Sequence, residues 1–339
     1  MRRILPAAVL GFSLWAAAPT STIPELVDLV RAGIRSGEPD ESLAKTLHKI
    51  RLGERLDWRV IDELESEGAG PKALKELSQL RDSSLNLKTT TGPLVFKTPT
   101  QPTMDELREV LSKARDLALE YNKSLPDFIC NQWVNRYDSV TGNWRLNDTL
   151  EIKLSYFGQK EDYKLLSVNG RSTYTRYESI GGALSKGEFG SLLVMVFDAK
   201  SRAEFHWSNW TTLRKRTAYV FSFYIRPENS AFHLDFQRAR NQGRFSIIPG
   251  QRGLVWVDRE TSRIMRIYSE AADIPGSFPV RSSSSLLDYE ITNISGTEFL
   301  LPLRADIRIS SRELMTRNQV EFKDYRKFTS ETSISFDPK

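Results

Sequence analysis

His48, His206, His233 and Cys130 are the side chains of this 339-residue chain best suited to nucleophilic or metal chemistry, and their spacing supports neither. No two histidines stand as in His-Glu-x-x-His, where one helical turn aims two imidazoles at a zinc ion. A Gly-x-Ser-x-Gly elbow is absent, and Gly181-Gly182-Ala183-Leu184-Ser185-Lys186-Gly187 lacks the Gly-Lys-Ser/Thr ending of a phosphate loop. His206, between Phe205 and Trp207, reads as a packed or rim residue. Cys130, in the apolar run Phe128-Ile129-Cys130, reads as a buried thiol. Carboxylates are plentiful, but they read as solvent-facing alternates of strands. The sequence therefore assigns no catalytic residue, no metal ligand and no cofactor, and the chain reads as something other than an enzyme.

What the sequence does concentrate is aromatic surface, from Phe205 through Trp210, Tyr219, Phe221 and Phe223 to Phe236. Between Tyr219 and Tyr224 apolar groups occupy both parities, and a strand of that kind must be covered on both faces. One cover is a helix read over 187–198, whose apolar residues at 189, 192, 193, 196 and 197 recur at helical spacing. If the other cover is a cavity, it suits an acyl chain or another apolar ligand. The candidate ligand-binding residues are Phe189, Leu193, Val196, Phe197, Phe221, Phe223, Trp256 and Ile267. The basic run Arg214-Lys215-Arg216 has the charge to meet an anionic headgroup, and equally the composition of a solvated turn.

The elements that must position these residues follow from periodicity. Leu26, Leu29, Val30 and Ile34; Leu43, Leu47 and Ile50; Val60, Ile61 and Leu64; and Leu74, Leu77 and Leu80 predict four short helices within 22–83, a small helical module. Residues 84–102 are rich in Thr and Pro and read as a linker. A helix is predicted from Thr103 to about Asn122, with Thr103 as N-cap, Glu106 completing a capping box, and Leu107, Val110, Leu111, Ala114 and Leu117 as its apolar face. From Asp127 the period becomes two. Strands are predicted at 150–156, 163–168, 218–226, 232–236, 253–258, 263–269, 285–294, 298–310 and 319–327, joined mostly by hairpins and therefore antiparallel.

Arg2 and Arg3 precede an uncharged apolar run from Ile4 to Ala18 and then small residues, so 1–21 reads as a secretory signal peptide. With that segment removed, no later stretch is long and apolar enough to span a bilayer. A single cysteine allows no internal disulfide, so a packed core must stabilise the exported chain in the periplasm or outside the cell. The formal net charge of +5 is too mild for a nucleic-acid footprint.

The segment from Leu64 through Gly68 and Gly70 to Leu74 resembles the hairpin of helix-hairpin-helix DNA-binding modules, but Glu63, Glu65 and Glu67 would repel phosphate. Gly253-Leu254-Val255-Trp256-Val257-Asp258, with Thr261 and the returning Ile264-Met265-Arg266-Ile267, resembles periplasmic carriers of the LolA/LppX type and the related sensor RseB; Phe299 to Leu303 fits the same pattern. Further segments, among them Glu204-Phe205-His206-Trp207 and Val320-Glu321-Phe322, resemble a group of uncharacterised exported bacterial proteins. The resemblance covers at most 125–337 and implies a curved antiparallel half-barrel closed by helices over an apolar cavity. Joined to the predicted elements it gives an α+β fold, a half-barrel domain over 103–339 with one or two helices on its concave face, preceded by the helical module, which such carriers lack. It implies a non-enzymatic envelope protein binding a lipid or acyl-bearing ligand. The alternative is a structural or protein-interaction module with a solid core, its partner met through 22–83.

Overall fold

A computed structural model of the chain describes residues 20–90, 96, 99–140, 144–180, 191–237 and 244–328. All of the signal-peptide segment except Thr20 and Ser21 lies outside these residues, as does Phe189. The chain divides into two compact units, Met1–Lys97 with Leu213–Lys215, and Thr98–Thr212 with Arg216–Lys339.

Among its described residues the first unit holds four helices, α1 (Ile23–Ser36), α2 (Asp40–Leu47), α3 (Trp58–Glu67) and α4 (Pro71–Ser84). Thr22 opens α1 with a capping box: its hydroxyl accepts from Glu25 N, and the Glu25 carboxylate accepts from Thr22 N. Leu26, Val30, Leu43, Leu47, Ile61, Leu64 and Leu77 are buried, as their spacing predicts. The turn between α3 and α4 resolves the helix-hairpin-helix likeness. Asp40 places its carboxylate on the free amides of α4, accepting from Lys72 N at 2.8 Å and Ala73 N at 2.9 Å. The amides that a phosphate would need are already engaged by this borrowed cap. Gly70 makes the approach possible, because a Cβ there would stand 2.4 Å from the Asp40 carboxyl carbon.

The second unit is an α+β structure built on an eleven-stranded, curved antiparallel sheet that is open at both edges. Its strands are β1 (Phe128–Ser139), β2 (Arg145–Phe157), β3 (Lys160–Val168), β4 (Arg171–Ser172), β5 (Glu204–Leu213), β6 (Arg216–Ile225), β9 (Gly250–Asp258), β10 (Ile264–Ala272), β11 (Val280–Ile294), β12 (Thr297–Ser311) and β13 (Met315–Lys327). β7 (Leu234–Gln237) and β8 (Arg244–Ile247) form a separate hairpin. The order is β4-β3-β2-β1-β13-β12-β11-β10-β9-β6-β5, so the last strand returns beside the first. Register shifts in β1, β10 and β11 mark bulges, which add local twist and bend a sheet.

Register explains the two faces. Phe221, Val255, Ile267, Leu287, Ala305 and Val320 stand opposite one another strand by strand, and all are buried in one continuous core. One residue along, Trp256, Arg266, Asp288, Arg304 and Glu321 make a parallel line on the other face. There Arg266 and Arg304 both donate to Asp288, at 2.5 and 2.6 Å.

Two helices cover the apolar face, α5 (Met104–Ser124) and α6 (Ser191–Phe197). Thr103 caps α5 as predicted, accepting from Glu106 N at 3.2 Å. Leu107, Val110, Ala114, Ala118 and Tyr121 face the sheet, whereas Leu117 is 42% exposed, because Ala118 takes its place in the stripe. The helix read over 187–198 is α6; 187–190 lie outside the described residues, and at the other end Asp198 leaves the helix to cap the next turn. β5 is an edge strand that the periodicity did not single out.

Candidate functional site

α6 is a seven-residue helix that turns Leu192, Leu193, Val196 and Phe197 into the core. A tight turn holds its C-terminal end. Ser201 Oγ donates to Val196 O and Asp198 O, and Asp198 Oδ1 accepts from Lys200 N. Arg202 follows in the left-handed conformation, φ 46°, which costs a non-glycine residue about 1 kcal/mol or more. The chain then enters β5, where Phe205 stacks on Phe197 with centroids 5.2 Å apart. Phe205 also meets Phe223 of β6, centroids 6.1 Å apart. Gly253 of β9 makes room for Phe223, since a Cβ there would lie 2.7 Å from its ring and 1.9 Å from Tyr268 O.

Two hollows flank this arrangement. One, of about 390 Å³, has an apolar floor of Leu111, Val196, Phe197 and Phe205 and a rim carrying Arg108, Arg115 and Arg202. The other, of about 260 Å³, lies between α5, α6, β10 and β12, with Leu117, Tyr121, Leu193, Ile264, Phe299 and Leu300 among its lining. Small-molecule sites run from about 300 to 1,000 Å³, so the first is large enough and the second slightly small. Tyr121 is buried, and its hydroxyl has no hydrogen-bond partner among the described residues. Desolvation pushes its ionisation well above the usual tyrosine value.

The sequence-predicted residues divide among these places. Val196 and Phe197 line the larger hollow and Leu193 the smaller. Phe221, Phe223 and Ile267 lie in the same core, closed to solvent. Trp256 is buried on the opposite face of β9, where Arg266 stands over its ring at 5.6 Å. Phe189 lies outside the described residues. The sequence reading passed over Arg108, Arg115 and Arg202. Arg108 and Arg115 stand two helical turns apart on α5, but nothing local brings Arg202 to them.

The other singled-out residues hold structure. Asp258 accepts from Arg216 in two bonds and from Glu260 N, Thr261 N and Thr261 Oγ1, which closes the turn between β9 and β10. Burial opposes its ionised form, but Arg216 and Thr261 outweigh that and hold its carboxyl below the usual range. Arg214 and Lys215, both at positive φ, form the turn between β5 and β6. Trp210 is buried and Trp207 half-buried, the two rings edge to face with centroids 5.3 Å apart. His206 points to solvent from the edge strand, and Cys130 is buried in the core. Among the described residues no cluster of His, Cys, Asp and Glu is grouped to hold a metal ion, and no helix is long and apolar enough to cross a membrane.

No family model matches the chain, and no curated protein matches it. It is similar to solved structures over about two thirds of its length. A LolA superfamily protein from Nitrosomonas europaea shares 12% identity at a TM-score of 0.34, over 66% of this chain and 93% of that one. A domain described as an outer membrane lipoprotein-sorting protein, from Vibrio parahaemolyticus, shares 11% at 0.31, over 65% and 94%. The Mycobacterium tuberculosis lipoprotein LppX shares 8% at 0.22, over 66% and 98%. At these scores no residue's role carries across.

Proposed function

We propose that the chain is a non-enzymatic protein of the cell envelope that binds a lipid or other apolar ligand on the helix-covered face of its half-barrel. The observation that carries this reading is the hollow of about 390 Å³ beside α6, floored by Leu111, Val196 and the stacked rings of Phe197 and Phe205. Capture would be driven by apolar area, at about 25 cal/mol per Å² removed from water before ordering costs. Phe189, Leu193, Val196, Phe197, Phe221, Phe223 and Ile267 remain the proposed ligand-binding set, and Trp256, turned to the opposite face of β9, drops out of it. Export is part of the proposal: residues 1–21 are removed as a signal peptide, 22–83 form a module that meets a protein partner, 84–102 link it, and 103–339 carry the ligand.

A specific observation favours a second reading, a structural or interaction module with a solid core. Leu193, Val196, Phe197, Phe221, Phe223 and Ile267 are each no more than 3% exposed, so an acyl chain longer than the hollow must displace α6. The neutral probe N-phenylnaphthylamine separates the two. Saturable fluorescence enhancement at one probe per chain supports the ligand reading, and none up to the probe's solubility supports the solid core.

A further inference from the structure

We propose that the hollow beside α6 holds the anionic headgroup of a single-chain amphiphile, with Arg115 and Arg202 on the carboxylate or phosphate and the start of the chain along Phe197 and Phe205. This rests on the ligand reading above and adds the ligand's chemical class. Three arginines line one hollow with an apolar floor, and they come from two separate elements, α5 and the turn after α6. Arg108 is already engaged by Asp105 at 3.0 Å. Among the described residues no ion pair holds Arg115 or Arg202. The only carboxylate in the lining, Asp198, has one oxygen occupied by Lys200 N within its own turn, so the rim as a whole favours an anion. Guanidinium suits such a headgroup because its planar fork matches carboxylate and phosphate oxygens with paired donors. The apolar floor then accounts for the rest of the molecule, since a free inorganic anion gains nothing from two phenylalanine rings.

Calorimetric titration of the delipidated full chain tests this with four probes: laurate, lauroyl lysophosphatidylglycerol, the uncharged monolaurin and inorganic phosphate. Both anionic amphiphiles should bind about tenfold more tightly than monolaurin, the order that one charge-assisted bond supplies. In the variant Arg115→Gln/Arg202→Gln, whose two sites are exposed, that preference should disappear while monolaurin affinity stays unchanged. Equal binding of laurate and monolaurin by the wild type, or a preference that survives in the variant, overturns the headgroup site and leaves the ligand reading standing. Phosphate binding as tight as laurate overturns the amphiphile in favour of a free anion. Binding of neither laurate nor monolaurin overturns the ligand reading itself.

Discussion

The ring of Phe197 stacks on that of Phe205, with centroids 5.2 Å apart and planes 22° from parallel. It ties the last residue of a short helix to an edge strand, the weakest strand position in a sheet. Phe197 is buried and Phe205 half-buried. Phe197→Ala should therefore cost about 3–5 kcal/mol of folding stability and Phe205→Ala roughly half as much, read from urea denaturation midpoints. Equal losses would mean that the pair does not anchor α6 as described.

Tyr219 of β6 donates its hydroxyl to Glu106 in the first turn of α5. Burial first, and then this bond, raise its ionisation from 10.0 to about 12. The group's pKa is higher folded than unfolded, so its stabilisation is complete below about pH 10 and is lost as the pH rises towards about 12. The wild type should lose more stability over that interval than Tyr219→Phe, compared by urea midpoints at each pH. Parallel curves would remove Tyr219 from the account. Tyr121, Tyr156 and Tyr224 are also raised, which is why the difference between the two proteins is the quantity to read.

How much of this was legible depended on how local each signal is. The helices α1 to α4 follow from apolar spacing bounded by Gly and Pro within a few residues, and Thr103 was readable as a cap because its partner amide is three residues on. Glu106 was readable as a capping-box acid, yet its carboxylate goes to a tyrosine 113 residues away. Trp256 stands between Val255 and Val257, so alternation cannot tell which parity faces the helices, and only the pairing with Val220 and Arg266 does. Arg115 and Arg202 come together only through the seat of α6 on the sheet. β5 carried a signal, inward Phe205 and Trp207 between outward His206 and Ser208, which two adjoining buried residues, Trp210 and Thr211, interrupted.

Asp288 is fully buried between Arg266 and Arg304 on the face away from α5 and α6. Asp288→Asn removes the charge that compensates a buried Arg266 and should cost about 3–5 kcal/mol, measured by denaturation. Ligand affinity, measured where the variant is fully folded, should not change. A loss below about 1 kcal/mol would contradict the buried-pair assignment.

Gly70 lets Asp40 reach the amides of α4. Gly70→Ala would push that carboxylate away and should cost about 1 kcal/mol, the usual worth of an N-cap, and Asp40→Ala should cost a similar amount. Because both changes act on one contact, the double variant should lose little more than either single one. Additive losses would show that the two residues act separately.

Native mass spectrometry of the chain purified from the cells that make it, followed by lipid extraction, bears on the ligand itself. The expected result is a bound amphiphile of defined mass, released on denaturation and reduced in the Arg115→Gln/Arg202→Gln variant. A bare chain in every preparation, taking up no laurate or monolaurin when they are supplied, would contradict it.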